Sequence, residues 1–253
     1  MDAKVPVRSL SIVIPAYNEK KRLPPSLERI CDWAADQSRA IDIVLVDDGS
    51  TDGTLEAAEA TVAGRVPLQA LVNKPNRGKG FSVRRGMMEA EGDCVLFTDA
   101  DLSTPIEEAD RLLEAIEAGS EVAIGSRGMK ESQIKLHQPW WREKAGKLFG
   151  LVTRTIALPG IRDSQCGFKC FRREAAQAIF SRQTLDGWAF DVELLVIARQ
   201  LGYEIAQVPV EWVNDPNTKV HMLTDGPKMV LDMIRVRLKH RHLTPADRRD
   251  QGR

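Results

Sequence analysis

The sequence predicts an α/β protein with a doubly wound, mostly parallel sheet flanked by helices. Short apolar runs alternate with helical patterns through the first half of the chain, at the spacing of βαβ units. Several of these runs end directly in acidic or other polar residues, as strands do at the ligand-binding edge of an open sheet. The 253 residues, 43% of them hydrophobic and 28% charged, suffice for one large globular domain.

Five strands and four helices are predicted in the first half. The strands are predicted at residues 10–14, 41–46, 68–72, 95–98 and 121–125, and the helices at about 24–36, 53–63, 78–88 and 105–117. Each strand candidate is short and apolar, which is typical of strands buried on both faces. Pro15 is expected to end the first strand, because proline has no N–H to donate to a sheet.

The alternation weakens after Arg127. Residues 129–139 are polar and are expected to be irregular. Helices are predicted at 140–158, 188–201 and about 227–240, and strands at 167–171 and 205–212. Because no repeat or clear linker interrupts the chain, we predict one domain, with halves at about 8–127 and 128–242 and a polar tail at 243–253.

Composition bounds the function classes. Thirty-six basic residues balance thirty-six acidic ones, so no overall field favours nucleic acid. The four cysteines lack paired zinc spacing and are expected to be reduced thiols of a cytoplasmic protein. There is no apolar signal segment, and no run approaches about 18 apolar residues, so we expect a soluble or peripheral protein. The histidines are expected at the surface or in loops: His137, His221, His240 and His242.

The most informative stretch is Phe97-Thr98-Asp99-Ala100-Asp101, an Asp-x-Asp pair that follows an apolar strand. Two clustered carboxylates repel each other unless a cation lies between them, and hard oxygen ligands suit Mg²⁺ or Mn²⁺. A metal in such a place commonly bridges to a diphosphate. The alternative is a solvated turn or a helix cap ahead of Pro105.

Polar loops also follow the first three strands. After the first, Tyr17 offers a flat face for a base and Glu19 an acceptor; a plain strand-to-helix loop is the alternative. After the second, Asp48 can accept from a base N–H, although such residues also cap helices. After the third, Gly78-Lys79-Gly80 opens a helix and favours an anion, without the spacing of a P-loop.

The order of these loops resembles the family 2 glycosyltransferases, which have the GT-A fold. The resemblance covers about Ser11 to His240. Within it, Asp163-Ser164-Gln165-Cys166-Gly167-Phe168-Lys169 and Trp188-Ala189-Phe190-Asp191-Val192-Glu193 look most like the dolichyl-phosphate β-glucosyltransferase branch. The resemblance implies a nucleotide-sugar site in the first half and an acceptor site in the second.

Carried over by position, the resemblance implies a role for each motif residue. The nucleoside pocket would be lined by Pro15, Tyr17 and Glu19, with Asp48 accepting from the base, Asp47 supporting it and Lys79 near the base or ribose. Asp99 would approach the ribose or sugar beside Ala100, and Asp101 would be the principal metal ligand. Arg127 would face the phosphates, and Lys219 would close on the diphosphate, although Asn217-Thr218 stands where the family has Gly-Ser.

The acceptor side is implied in the same way. Arg142, Gln165 and Trp188 would meet the acceptor. Asp191 and Glu193 stand where this superfamily often has a catalytic base, but each also suits a purely structural role. Asp163 is left open in the same way, as a base or as an organiser of the Gln165-Cys166-Gly167 turn. Trp140, Trp141 and the last helix mix aromatic or apolar residues with basic ones; they suit an interfacial helix, and also ordinary core packing.

The predicted function is an inverting, metal-dependent transfer of a hexose, glucose from UDP-glucose, onto a polyprenyl or dolichyl phosphate at the cytoplasmic face of a membrane. Mg²⁺ or Mn²⁺ is the predicted cofactor. One alternative keeps the donor but uses a soluble acceptor, such as a phosphoglycerate or a sugar. Another is a sugar-1-phosphate nucleotidyltransferase, which would need a Gly-rich, Arg-containing loop where Pro15-Ala16-Tyr17-Asn18-Glu19 stands.

Overall fold

The computed structural model describes residues 5–136, 146, 150–187, 189–213 and 222–249. Within these residues, one seven-stranded sheet carries helices on both faces, and a separate two-stranded sheet lies beside it. The predicted doubly wound, mostly parallel α/β architecture is therefore confirmed.

Nine strands are described. They are β1 Ser9–Ala16, β2 Ala40–Asp47, β3 Leu68–Val72, β4 Cys94–Phe97, β5 Val122–Ser126, β6 Gln133–Leu136, β7 Lys169–Arg172, β8 Ile205–Pro209 and β9 Glu211–Val213. The large sheet has the order β3-β2-β1-β4-β7-β5-β8, and β6 pairs with β9 in the small sheet.

Eight helices are described. They are α1 Leu23–Ala35, α2 Thr54–Val62, α3 Lys79–Glu89, α4 Ala109–Glu117, α5 at residues 150–156, α6 Arg173–Phe180, α7 Phe190–Gln200 and α8 Met222–His240. Short 3₁₀ turns at Ile106–Glu108 and Pro245–Arg249 precede α4 and follow α8.

The strand order places a topological switch point between β1 and β4. From β1 the chain moves outward through β2 and β3, and then returns to the other side of β1 as β4. These four strands are parallel, so their carboxyl ends share one edge of the sheet. Open α/β sheets bind ligands at that edge, in the crevice at the switch point.

Strand β7 is the one antiparallel member of the large sheet as described. Its first residue, Lys169, pairs with Phe97 of β4 and with Ile124 of β5. Because β7 runs against its neighbours, the loop that precedes it lies at their carboxyl edge. The fold therefore brings residues 163–168 to the same edge as Asp99 and Arg127.

The core lies on both faces of the sheet because successive strand residues point to opposite sides. Leu10, Ile12 and Ile14 of β1 face a cluster that includes residues of α1, α2 and α4. Val13 of β1 faces the other cluster, built with residues of α3, α6, α7 and α8. Covering both faces explains why these strands are continuous apolar runs.

Some element predictions were wrong. Strand β1 continues past Pro15 to Ala16, which pairs with Asp47. The Val13 carbonyl accepts from Thr98 N, so the backbone polar groups of Val13 point towards β4. Because these groups alternate along a strand, the nitrogen of Pro15 points to the same side. It lies beyond the last paired residue of β4, so the sheet needs no N–H at this position. Residues 129–139 contain strand β6. The strand predicted at 205–212 is two strands that belong to different sheets.

All four cysteines are buried and free, as predicted: Cys31, Cys94, Cys166 and Cys170. None of the described helices combines the length and the apolar composition needed to cross a bilayer.

Candidate active site

The loops after β1, β2, β3 and β4 meet at the switch point and are linked by side-chain contacts. Asn18 N donates to Ser50 Oγ at 2.9 Å, which joins the β1 and β2 loops. Ser50 N in turn donates to an oxygen of Asp47 at 3.1 Å. Beside this link, Tyr17 is 41% exposed and Pro15 is half-buried. Part of the Tyr17 side chain is therefore accessible to solvent beside these loops.

Asp48 organises the loop between β3 and α3. Its buried carboxylate accepts from Asn73 Nδ2 at 2.8 Å, Arg77 N at 2.9 Å and Gly78 N at 2.8 Å. Gly78 has φ +95°, a conformation that favours glycine. Asp48 thus fixes the backbone immediately before Lys79. Sequence reasoning gave Asp48 a role with the base and did not find this one.

A basic surface pocket of about 220 Å³ lies next to the Asp48 loop. It is lined by Val72, Asn73, Lys74, Arg77, Phe81 and Arg85. Arg85 Nη1 donates to Asn73 Oδ1 at 2.6 Å, so the same asparagine contacts both the pocket and Asp48. The Arg77 guanidinium lies 4.1 Å from the centroid of the Phe81 ring. The pocket therefore carries positive charge, which suits an anionic ligand.

Asp99 pairs with Lys79 across the cleft. The Lys79 ammonium lies 2.5 Å from Asp99 Oδ1. Burial works against the charge of Lys79, but Asp99 and Asp191 offset that penalty and the pKa of Lys79 is raised. Asp99 also packs against Gly167, where a Cβ would lie 2.2 Å from Asp99 Oδ2. Glycine at position 167 therefore keeps room for this carboxylate.

Asp101, the second carboxylate of the Asp-x-Asp motif, lies near the loop after β1. Asp101 Oδ1 accepts from Ser103 N at 3.0 Å, and Asp101 Oδ2 lies 4.0 Å from Arg22 Nη1. Arg22 is held by two bonds to Glu19, of 2.6 and 2.7 Å. The buried Glu19 thus orients a cation towards Asp101. Between the two carboxylates, Ala100 is buried.

Arg127 and Asp163 form a half-buried ion pair at the same edge of the sheet. Arg127 Nε donates to Asp163 Oδ2 at 2.6 Å and Nη2 to Oδ1 at 2.9 Å. Burial alone would raise the pKa of Asp163, but the Arg127 guanidinium lowers it to about 2. Asp163 also accepts from Gln165 N at 3.1 Å. These contacts favour the organising role that the sequence left open, because a general base needs a pKa nearer the working pH.

A second pair, which is buried, joins Lys169 and Asp191. The Lys169 side chain is fully buried, and its Nζ lies 2.5 Å from Asp191 Oδ1 and 2.6 Å from the Cys166 carbonyl. Sequence reasoning missed Lys169 as a site residue. The available signal was a lysine inside the otherwise apolar run Gly167-Phe168-Lys169-Cys170-Phe171. A lysine in a buried strand needs an acidic partner.

Glu193 does not face the cleft. Glu193 Oε1 lies 2.8 Å from His240 Nε2 and 2.6 Å from Thr184 Oγ1, while Oε2 accepts from Leu185 N at 2.8 Å. Burial would raise the pKa of Glu193, but these bonds lower it.

The expectation that His240 is a surface or loop residue was wrong, because it is buried at the end of α8 against Glu193. His242 is exposed, whereas His137 and His221 lie outside the described residues.

Asp99 and Asp101 are the two partly exposed carboxylates of the cleft that could hold a metal ion. The side chains of Asp99 and Asp101 are 35% and 24% exposed. Among the residues that the structure describes, no three His, Cys, Asp or Glu side chains cluster to form a metal site. Two carboxylates fit a Mg²⁺-like ion that takes its other ligands from phosphate oxygens and water.

Burial raises the pKa of the Cys166 thiol to about 11, so this cysteine stays protonated and inert.

Not every predicted site residue can be compared with the structure. Gln165 is half-buried in the loop before β7, next to the Asp163 pair. Three predictions fall outside the described residues: Arg142, Trp188 and Lys219. Apart from Glu193, the structure brings together the other predicted site residues that it describes at one edge of the sheet.

Comparisons with known proteins identify relatives of the whole chain. The family model described as Glycosyl transferase family 2 matches residues 11–180. A dolichyl-phosphate beta-glucosyltransferase of Trichomonas vaginalis is 36% identical over 247 residues, covering 92% of this chain and 74% of that protein. The enzyme of that name from Homo sapiens is 33% identical over 261 residues, covering 98% of this chain and 80% of its own.

Solved structures show the same fold at lower identity. Glucosyl-3-phosphoglycerate synthase of Mycobacterium tuberculosis superposes with a TM-score of 0.66 at 20% identity, over 92% of this chain and 80% of that one. The same enzyme in complex with Mn²⁺, UDP and glucosyl-3-phosphoglycerate gives a TM-score of 0.64 at 20% identity, with the same coverage of both chains. These matches confirm the predicted GT-A fold.

Proposed function

The chain belongs to glycosyl transferase family 2, and we propose that it transfers glucose from UDP-glucose to the phosphate of a polyprenyl lipid of the dolichyl phosphate type. Relatives named dolichyl-phosphate beta-glucosyltransferases, 31–36% identical over most of the chain, support this choice of reaction.

The observation that carries the proposal is the arrangement of Asp99 and Asp101 at the switch point. Lys79 reaches Asp99 from the loop after β3, and Arg22 lies near Asp101 from the loop after β1. Two carboxylates and two cations thus meet between loops from separate strands. A diphosphate is negatively charged and its metal ion is positively charged. The two cations of this arrangement suit the diphosphate, and the two carboxylates suit the metal ion.

The nucleoside side of the cleft is assigned to the loops after β1 and β2. Tyr17 would stack on the base, beside Pro15, because its side chain is partly exposed beside these loops. Asp48, supported by Asp47, would accept from the base N–H in addition to holding the Asn73–Gly78 loop. Lys79 would contact the ribose or the diphosphate, and Lys219, outside the described residues, would close on the diphosphate.

Asp101, with Asp99 beside it, would hold a divalent cation, Mg²⁺ or Mn²⁺. When bound, the cation would stabilise the negative charge that develops on the leaving nucleoside diphosphate. The Mn²⁺ and Mg²⁺ complexes of the structurally similar synthase support this assignment.

The chemistry needs little proton transfer by the protein. The bond between the anomeric carbon and the donor's phosphate oxygen breaks, and its electron pair leaves with UDP. An oxygen of the acceptor phosphate forms the new bond from the opposite face, which inverts the configuration. A phosphate oxygen is already ionised near neutral pH, so no general base has to remove a proton. The ion-paired states of Asp163 and Asp191 agree with such an acceptor.

The acceptor is assigned to the loops of the second half. Gln165 lies at the cleft edge beside Gly167, which contacts Asp99. Arg142 and Trp188 are proposed to bind the acceptor phosphate and the first isoprene unit. A lipid acceptor requires the enzyme to work at a membrane surface, and we place it on the cytoplasmic face as a peripheral protein. The buried free cysteines support a reducing compartment.

A transfer assay tests the proposal. UDP-glucose, UDP-galactose, GDP-glucose and GDP-mannose are each paired with dolichyl phosphate or with 3-phosphoglycerate, with and without EDTA. We expect a lipid-linked product from UDP-glucose and dolichyl phosphate, lost with EDTA and restored by excess Mn²⁺. Glucose transfer to 3-phosphoglycerate alone would establish the soluble-acceptor alternative, and absence of any transfer would refute the reaction.

A further inference from the structure

Helix α8 presents an apolar stripe to solvent. Leu231, Ile234 and Leu238 are 55%, 42% and 58% exposed. At about 100° per residue these three positions share one side of the helix. The opposite side carries Met233, Val236 and His240, which are buried in the core. The exposed stripe is therefore a second apolar face, in addition to the one that packs on the domain.

Basic residues flank this stripe on both sides. Arg235 and Lys239 lie on one side of it and Arg237 on the other, and all three are exposed. From Leu231 to Arg241 the sequence has four Lys or Arg residues and one acidic residue, Asp232. A solvent-exposed apolar stripe with basic flanks matches a helix that lies in the headgroup layer of an anionic membrane. Long basic side chains can reach the headgroups while their neighbours enter the apolar layer.

Helix α5 lies beside α8. It packs against α8 through a bond from Thr153 Oγ1 to Met233 Sδ at 3.2 Å, and through a bond from Arg237 to the Ile156 carbonyl. Leu151, which is 53% exposed, and the exposed Arg154 lie on this helix. The combination of exposed leucine and exposed arginine thus recurs on the neighbouring helix.

We propose that the stripe of Leu231, Ile234 and Leu238 docks the enzyme on an anionic lipid bilayer. The inference rests on the proposed function in one respect, since only a lipid acceptor gives docking a purpose. Charge favours a bilayer over a second copy of the chain, because two copies meeting at this stripe would bring their basic flanks together.

A chain of hydrogen bonds connects helix α8 to the cleft. His240 at the end of α8 contacts Glu193, which holds Thr184 and Leu185. One residue further on, the Asp186 carbonyl accepts from Gly80 N at 2.9 Å, next to Lys79. Docking through α8 would therefore set the orientation of the cleft relative to the membrane, so that a lipid phosphate approaches it from a fixed side.

Vesicle sedimentation tests the proposal. The full chain is mixed with vesicles of phosphatidylcholine alone, or with one fifth phosphatidylserine. The test variants are Leu231→Glu/Leu238→Glu and Arg235→Glu/Lys239→Glu. The matched controls are Val5→Glu/Met88→Glu and Arg29→Glu/Arg65→Glu, which change exposed residues away from α8. Transfer to a water-soluble short-chain prenyl phosphate is measured for every variant.

We expect the wild type and both controls to bind the anionic vesicles, and both test variants to bind them about tenfold more weakly. Transfer to the short-chain acceptor should stay within twofold of wild type, which shows that the variants fold. Wild-type binding by Leu231→Glu/Leu238→Glu would overturn the proposal. The proposal would also be overturned if the wild type formed a dimer that did not bind vesicles and that Leu231→Glu/Leu238→Glu dissociated. A third outcome separates the two proposals. If the test variants lose vesicle binding while the wild type transfers glucose to no acceptor, docking is supported and the proposed reaction is refuted.

Discussion

Two groups of carboxylates lie at the same edge of the sheet but in different surroundings. The rim carboxylates, Asp99 and Asp101, keep 35% and 24% of their side chains exposed. The floor carboxylates, Asp163 and Asp191, keep only 10% and 6% exposed. Both groups lie near cations of the chain, so the difference between them is the exposure of the carboxylates. The rim can therefore exchange its partners for a metal ion and a diphosphate. The floor pairs, Arg127–Asp163 and Lys169–Asp191, shape the loop before β7, which supports the rim through the contact of Gly167 with Asp99.

The largest expected effect comes from breaking a floor pair. Lys169→Met leaves the Asp191 carboxylate buried without its cation, and removing one partner of a buried pair costs about 3–5 kcal/mol. We expect the free energy of unfolding, measured with urea, to fall by that amount. The matched variant is Lys169→Met/Asp191→Leu, which removes both charges and should recover most of the loss. A loss below about 1 kcal/mol in the single variant would show that the pair is not structurally important.

The rim should behave in the opposite way, with a large effect on activity and a small one on stability. Asp101→Asn keeps the shape but removes the charge that would hold the cation, so we expect kcat/KM for transfer to fall about a thousandfold, or about 4 kcal/mol in the barrier. The Tm should stay within about 2 °C of wild type. Asp36→Asn, at an exposed aspartate that follows helix α1, is the control. Near-normal turnover by Asp101→Asn would contradict the metal role.

The smallest expected effect is the loss of stability at low pH that comes from the Arg127–Asp163 pair. The pKa of Asp163 is about 2 in the folded protein, against about 4 in an unfolded chain. A lowered pKa stabilises the fold above pH 4, and this contribution is lost as the pH falls towards 2. It amounts to roughly 2–3 kcal/mol. The difference in unfolding free energy between wild type and Asp163→Asn should shrink by that amount from pH 5 to pH 2; a difference independent of pH would refute the pairing.

The first half of the fold could be predicted from sequence, because its signals are local. Strands β1 to β5 were placed within one or two residues from short apolar runs, and their polar ends predicted the shared edge. The second half depends on long-range pairing. Strand β7 enters between β4 and β5 in the antiparallel direction, and β6 pairs with β9, which follows it by more than seventy residues. No local pattern encodes either arrangement.

The candidate site divides in the same way. The residues of the rim were found because they follow strands directly in the sequence. The floor pairs join residues 22 and 36 positions apart, and the pair of Glu193 with His240 spans 47. Sequence alone showed that these residues can carry charge, but tertiary structure decides which partner neutralises each of them. For that reason the sequence left open whether Asp163, Asp191 and Glu193 act as bases.

The most direct test of the central claim is the crystal structure of the enzyme grown with UDP and Mn²⁺, with the metal located by its anomalous signal. We expect one Mn²⁺ on a carboxylate oxygen of Asp101, bridged to the diphosphate, with the uracil between Tyr17 and Asp48. Mn²⁺ and UDP bound elsewhere, with both Asp99 and Asp101 free of metal, would contradict the account.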